Sequence, residues 1–302
     1  MARPIFLHHE LYQADLRGHV FPMEKYGLVR RDLLESGATT ADDWRVAPPA
    51  SEAQLRLVHT PEYLDDFLNA RWTPRTESSE LPLDAAVVRA FVLFTGGTIE
   101  ASREAMGRGF AVNVGGGFHH AFADHAEGFC YLNDIAVGIR VLQEEGAIRR
   151  AAVIDCDLHQ GNGTARLFED DDLVFTFSIH QERLYPVKQR SDLDIGLDDP
   201  AGDARYLAAL DTALPVVFER GRPEFVVYQA GADPYEDDQL GNLGITRAGL
   251  RERDRRVLAA CAARGVPCAV TFGGGYARRV EDTVAIHAAT CRETLAVAAA
   301  QG

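Results

Sequence analysis

Six short runs of the chain are apolar almost throughout: Ile5–Leu7, Phe110–Val114, Ala151–Ile154, Val174–Ile179, Phe225–Gln229 and Cys268–Phe272. Strict alternation of polar and apolar residues would mark a sheet with one wet face. Runs of Val, Ile and Phe instead mark strands covered on both faces, as in a parallel sheet flanked by helices. Helical patterns separate them at Asp84–Met106, Asn133–Glu144, Asp203–Arg220, Arg247–Arg264 and Arg279–Ala298. Thr60-Pro61-Glu62 reads as a helix start, with a capping Thr and Pro in the first turn. The alternation predicts a doubly wound α/β fold with a mostly parallel sheet, spanning residues 1–302 as a single domain. The stretch Arg71–Leu83 (RWTPRTESSELPL) reads as a long surface loop, and no internal repeat or low-complexity segment interrupts the pattern.

In folds of this kind, ligands sit beyond the carboxyl ends of the strands. Four strand ends lead into unusual loops: GGGFHH after Val114, DCDLHQGNG after Ile154, AGADPYEDD after Gln229 and GGGY after Phe272. Their convergence on one rim carries more weight than any one of them.

In an extended segment alternate residues point the same way, so Asp155, Asp157 and His159 can share a face. A carboxylate and an imidazole two residues apart suit zinc, and Asp233, just past another strand, is the best candidate for a third ligand. Three protein ligands would leave an open position, as in a catalytic site. Taken alone, the DxDxH pattern is equally a surface turn or a helix-capping cluster. The adjacent histidines His119 and His120 suit proton transfer near neutrality. Asp155 and Asn162 are their natural orienting partners, and the Asp would hold its histidine charged more readily than the Asn. That asymmetry suggests two roles for the pair, against the plainer reading that both cap a loop. Tyr276, after three glycines, can donate to an oxyanion, or can simply be a packed aromatic.

The formal net charge is −14. It excludes nonspecific nucleic-acid binding through a basic surface. It favours cationic partners such as lysine-rich peptides or polyamines, or merely keeps the chain soluble. The five cysteines form no CxxC pair or dense framework, which points to a reducing, cytoplasmic compartment. The start MARPIFLHHELYQ has no long apolar run behind a basic segment, so no signal peptide is expected. No uncharged apolar run of about 18 residues occurs, so no membrane span is expected either. The sequence fixes no oligomeric state.

The ordered set GGGFHH, GFCYLNDIA, DCDLHQGNGT, GADPYEDDQLGNLGIT and GGGY resembles the histone deacetylase family of arginase-like fold. The resemblance runs from HHELY and HVFPMEKY into the last helix. HQGNG, LGNLGIT and RLYP look closest to the class IV branch and its bacterial relatives. It implies zinc ligands Asp157, His159 and Asp233, and His120 as general base and then general acid. It also implies His119, paired with Asp155, as electrostatic stabiliser, Asn162 beside His120, and Tyr276 as carbonyl-oxygen donor. Gly128, Phe129 and Tyr185 would line a tunnel for a lysine-like stem. A structural potassium ion would sit at Asp155, Asp157, His159, Ser178 and Ile179, partly through backbone carbonyls. The implied reaction is zinc-dependent hydrolysis of N-acyl-lysine, acetyl or longer, in a protein or peptide. Alternatives are an acetylpolyamine amidohydrolase and a non-catalytic acyl-lysine binding module.

Some members carry Asp where this chain has Asn162, which should leave His120 less basic. The rim acid that class I members use to grip the peptide backbone has no clear match, although Glu80 and Asp84 lie in that region. A binuclear manganese ureohydrolase would need further Asp and His ligands, and the glycine triplets are not the GxGxxG of a nucleotide fold. Among the remaining features, His8 and His9 read as packing or capping groups and His180 as structural. Glu236-Asp237-Asp238 reads as a solvated turn, and Phe91, Phe94 and Met106 as core.

Overall fold

A computed structural model describes residues 2–300 of the chain. The elements run β1 (Ile5–His8), α1 (Lys25–Glu35), β2 (Trp44–Val46), α2 (Glu52–Leu55), α3 (Pro61–Leu68), α4 (Pro74–Glu77), α5 (Ala85–Arg108), β3 (Phe110–Asn113) and α6 (Asp134–Glu144). They continue through β4 (Ala151–Asp155), α7 (Asn162–Phe168), β5 (Val174–Gln181), β6 (Leu193–Leu197), α8 (Asp203–Val216), β7 (Phe225–Gln229), α9 (Arg247–Ala262), β8 (Cys268–Thr271) and α10 (Val280–Ala300). The strands form one sheet in the order β2-β1-β3-β8-β7-β4-β5-β6, and every pairing is parallel.

Both faces of the central strands are buried, as their continuous apolarity requires. Ala152, Ile154, Val226, Tyr228 and Val270 point into one core layer. Val153, Val227, Ala269 and Ala111 point into the other. Helix starts follow local chemistry: the Asp84 carboxylate accepts from the amides of Ala86 and Val87 at the head of α5, and the Thr60 hydroxyl accepts from Tyr63 at the head of α3.

Both edge strands escape the periodicity argument. β2 has three residues, and in β6 the half-buried Leu193 and Ile195, packed against the core, alternate with the exposed Asp194 and Gly196, the pattern of a strand with one drier face. Helix α1 was not expected, although Tyr26, Val29 and Leu33 form a buried helical stripe. The expectation of a surface loop at Arg71–Leu83 needs correction. It contains α4 and buries Thr76, Ser79 and Leu81, because it folds back to wall the rim. Helix α8 stops short of Arg220 and passes into a π-turn at Val217–Gly221, just after Pro215 removes a backbone donor.

Helix α5 is long and apolar enough, by composition, to cross a membrane. It packs against α6 and β3, and 67% of its most apolar window is buried within the fold, as a central core helix requires.

Candidate active site

β4 and β7 are neighbours, with Asp155 opposite Gln229 at their carboxyl ends. The loops leaving these ends therefore start side by side. They bring one ligand atom each from Asp157, His159 and Asp233 within 4.8 Å of one another, all buried. The Asp157 Oδ2 accepts from the Gly274 amide at 2.8 Å, and the Asp233 Oδ1 accepts from the Leu158 amide at 2.9 Å. His159 Nδ1 lies 3.4 Å from Asp157 Oδ1 and 3.3 Å from Asp233 Oδ2. Gly274 is required, because a Cβ there would collide with the Asp233 carboxylate.

Asp233 Oδ2 is buried without a hydrogen-bond partner. Burying an unsatisfied carboxylate oxygen beside a second carboxylate is costly unless a cation compensates. Against the penalty of burial, Asp157 and Asp233 raise the His159 imidazolium to about 10, a measure of how strongly this pocket attracts positive charge. The two carboxylates and one imidazole thus fit a divalent metal ion in donor type and number.

Arg253 of α9 binds both ligand loops at once. Its Nη1 donates to the Cys156 carbonyl at 3.1 Å and to the Gly231 carbonyl at 2.6 Å, while Nε donates to Asp254. The residue is fully buried, so losing it would uncouple the loops and strand the Asp254 charge. No expectation pointed to Arg253, yet the signal was present. Arg253 and Asp254 fall three and four residues after Leu250, on the stripe continued by Val257, Leu258 and Cys261.

The GGGFHH loop is held from below by Asp134 at the start of α6. Its carboxylate accepts from the amides of Gly117 and Phe118 and from the Thr98 hydroxyl. This brings two imidazoles beside the Asp157–His159–Asp233 group. His119 Nδ1 lies 2.7 Å from Asp155 Oδ2, and His120 Nδ1 lies 2.7 Å from Asn162 Oδ1. The environments push the pair apart. Burial opposes charge on His119, but Asp155 and Asp157 raise it to about 9. Burial, then the neighbouring His119 and His159, drive His120 well below its ordinary value. The surroundings therefore favour the charged form of His119 and the neutral form of His120.

A cavity of about 270 Å³ opens above these groups, walled by Phe129, Leu184, Tyr185, Leu240 and Tyr276, with Glu80 at its border and His120 and His159 at its floor. A smaller recess reaches further inward, past Phe21, Phe118 and Cys130 to Asp157 and Gly274. Gly128 has no room for a side chain: a Cβ would sit 2.6 Å from the Tyr185 hydroxyl and 2.7 Å from the His120 ring. Phe129 follows at φ 64, an uncommon conformation for a bulky residue, held by its amide's bond to the Ser79 carbonyl.

Tyr276 packs edge-on to Phe129 and Phe21 at centroid distances of 5.8 and 6.2 Å. Its backbone amide donates to Asp238 Oδ2 at 2.7 Å. The expectation of a solvated turn is thus wrong for Asp238, which is buried and whose carboxyl is pushed up to about 7, chiefly by burial. Tertiary contact with the GGGY loop turns it inward. Lys25, also missed, is fully buried. Its Nζ donates to the Gly273 carbonyl at 2.8 Å and lies 5.7 Å from the Tyr276 ring centre. It occupies the inner face of α1, one helical turn before Val29.

Of the residues expected around a potassium ion, Asp155 and Ser178 are register partners across β4 and β5, with Ile179 next in the strand. The Ser178 hydroxyl meets His180 Nδ1 at 2.9 Å. His8 packs edge-on to Tyr12, and His9 accepts from the Leu11 amide. Phe91 and Phe94 are fully buried, and Met106 packs against the second core layer.

Fold and site together define an α/β protein with a buried Asp-His-Asp group, of the donor type and number that suit a metal ion, beneath an aromatic-walled pocket. Known proteins give that class a family. The sequence pattern of the histone deacetylase domain matches residues 19–291. An uncharacterised protein of Picosynechococcus sp. is 40% identical, covering 95% of this chain and 96% of its own length. Histone deacetylase 2 of Arabidopsis thaliana is 32% identical, covering 88% of this chain and 73% of its own. A crystal structure of an HDAC homologue complexed with SAHA superposes with a TM-score of 0.85 at 24% identity, covering 98% of this chain and 84% of that one. The chain belongs to the histone deacetylase family, and is a hydrolase of that family.

Proposed function

We propose that the chain is a zinc-dependent deacylase that hydrolyses the amide of an N-acyl-lysine side chain. The observation that carries this reading is the buried group of Asp157, His159 and Asp233, whose ligand atoms lie within 4.8 Å of one another beneath the aromatic cavity and whose Asp233 Oδ2 accepts no hydrogen bond. Asp157, His159 and Asp233 would hold the ion, and zinc supplies Lewis acidity and a lowered pKa for water when bound.

The protein's own groups have distinct tasks. His120, kept neutral by burial, takes a proton from the attacking water and returns it to the departing amine. His119, kept cationic beside Asp155, stabilises negative charge developing next to it. The Tyr276 phenol is held well above its ordinary pKa by burial and by Asp233 and Asp157, so it keeps its proton and can donate to the carbonyl oxygen. Phe129 and Tyr185 exclude water around an apolar stem, with Gly128 leaving the passage between them. The products are a free amine and a carboxylate.

An acylated polyamine is the second reading, favoured by the Glu80 carboxylate bordering the cavity, where a secondary ammonium would lie. We further propose a structural potassium ion near Asp155, Asp157, His159, Ser178 and Ile179, supported by the pairing of β4 with β5. Kinship with the class IV branch belongs to the same proposal, as does a cytoplasmic location, which five free buried thiols support.

The test is hydrolysis of lysine peptides bearing acetyl, butyryl, octanoyl and myristoyl groups, with acetylspermidine alongside. It is run with zinc supplied, on the natural protein and on His120→Ala. Turnover that His120→Ala abolishes is the expected result. A protein that binds no zinc and turns over none of these substrates would refute the reading.

A further inference from the structure

Asn162 is an ambiguous partner for a catalytic histidine, because an amide can turn either its oxygen or its nitrogen toward the ring. The two choices have opposite consequences. An amide oxygen at Nδ1 requires a proton there and leaves Nε2 free to act as a base. An amide nitrogen at Nδ1 moves the proton to Nε2 and blocks it.

In this chain the ambiguity is resolved by a residue that the expected site did not include. Asn162 Nδ2 lies 2.8 Å from Glu127 Oε1. A carboxylate only accepts, so it selects the amide's NH₂ and turns the amide oxygen toward His120 Nδ1, 2.7 Å away. The same Glu127 oxygen accepts from the Tyr185 hydroxyl at 3.0 Å. Glu127 also exchanges backbone hydrogen bonds with Cys130, closing the turn that carries Gly128 and Phe129. One carboxylate thus joins the partner of the base to the wall of the tunnel. His125, with Nε2 at 3.7 Å, backs its other oxygen.

We propose that Glu127 is a positioning residue: it locks the Asn162 amide so that His120 carries its proton on Nδ1, and it pins Tyr185 against the tunnel. The proposal rests on the deacylase reading for its kinetic consequence, but its structural claim stands without turnover. It also has a chemical corollary. An Asp at position 162 would set two carboxylates 2.8 Å apart, so this chain tolerates Asn162→Asp only if Glu127 gives up its charge.

The experiment compares the natural protein, Glu127→Ala, Asn162→Asp and the double variant Glu127→Gln/Asn162→Asp. Readouts are ¹⁵N-histidine NMR of the His120 tautomer, melting temperature, and kcat and KM on the best acyl substrate. The natural protein should show the Nδ1–H tautomer, and Glu127→Ala should add a population protonated on Nε2. The kcat of Glu127→Ala should fall roughly 10- to 100-fold, the scale of losing an outer partner of a site residue. Asn162→Asp should lose at least as much, and the double variant should recover most of it. A purely structural Glu127 predicts no such rescue. Unchanged tautomer and kcat in Glu127→Ala would overturn the proposal. Should that variant fold poorly, an Asn162→Asp protein as active as the double variant would overturn it equally. Absence of turnover in the natural protein with the Nδ1–H tautomer present would instead count against the deacylase reading alone.

Discussion

Replacing Tyr276 by Phe should separate catalysis from stability cleanly. The ring is held by Phe21 and Phe129 at 6.2 and 5.8 Å, and the backbone by the 2.7 Å bond to Asp238, and all of these contacts survive the substitution. The hydroxyl borders the cavity and takes no partner among the described side chains. Deleting it therefore breaks no native hydrogen bond, and stability should change by no more than about 0.5 kcal/mol. That corresponds to a melting shift of about 2 °C or less for a chain of this size. The kinetic effect should be large. Loss of one oxyanion donor costs on the order of 100- to 1,000-fold in kcat, about 2.7–4 kcal/mol of barrier. KM should move little, because the donor acts on charge that develops only in the transition state. Steady-state kinetics on a fluorogenic acyl-lysine peptide, with a thermal melt of the same sample, provides the assay. A kcat within about fivefold of the natural protein, or a loss in KM alone, would refute Tyr276 as the oxyanion donor.

Elemental analysis of the purified protein should find one divalent metal per chain, and Asp233→Ala should abolish it by removing one of the two buried carboxylates grouped with His159. Arg253→Met removes two hydrogen bonds to the ligand loops and leaves Asp254 without its ion partner, so urea denaturation should show a loss of roughly 3–5 kcal/mol. Acid should destabilise the fold through His59, whose Nδ1 meets the Phe122 carbonyl and whose Nε2 accepts from the Asn133 amide. Burial lowers its pKa from 6.5 to about 4, so the unfolded chain binds the proton first as pH falls. The His59 contribution is complete above pH 6.5 and is lost down to pH 4, about 3 kcal/mol in all. Denaturation curves of metal-free protein at several pH values should show a shallower slope for His59→Gln, and an unchanged slope would refute the assignment.

Much of this architecture is written locally. The central strands are legible because their residues are apolar on both faces, and α3 and α5 because Thr60 and Asp84 are capping residues placed just before the first turn. The loops that carry Asp157, His159 and Asp233 are legible because polar and glycine-rich runs follow several strand ends at once, although Asp157–His159 bends rather than continuing extended. Edge strands β2 and β6 are not, since a strand with one open side needs little apolar surface.

The second layer of the site divides the same way. Arg253 and Lys25 sit on the apolar stripes of α9 and α1, so helical periodicity already places their charges inside. Asp237 and Asp238 are adjacent acids in one turn, and only the amide of Tyr276, 38 residues on, makes one of them a buried anchor. Glu127 stands in a glycine-bearing turn with nothing local to mark it, and its role exists only because α7 delivers Asn162 from 35 residues away. By itself the sequence determined the central strands and the helices α3, α5, α6, α8, α9 and α10, where the chemistry gathers and which residues are chemically fit to hold a metal. Those properties follow from side-chain pattern and short-range backbone geometry. The strand order, the coupling of Asp233 to Asp157 and the orientation of each imidazole were decided by the tertiary structure. Each depends on hydrogen bonds between segments far apart in the chain, which meet only when the sheet is assembled.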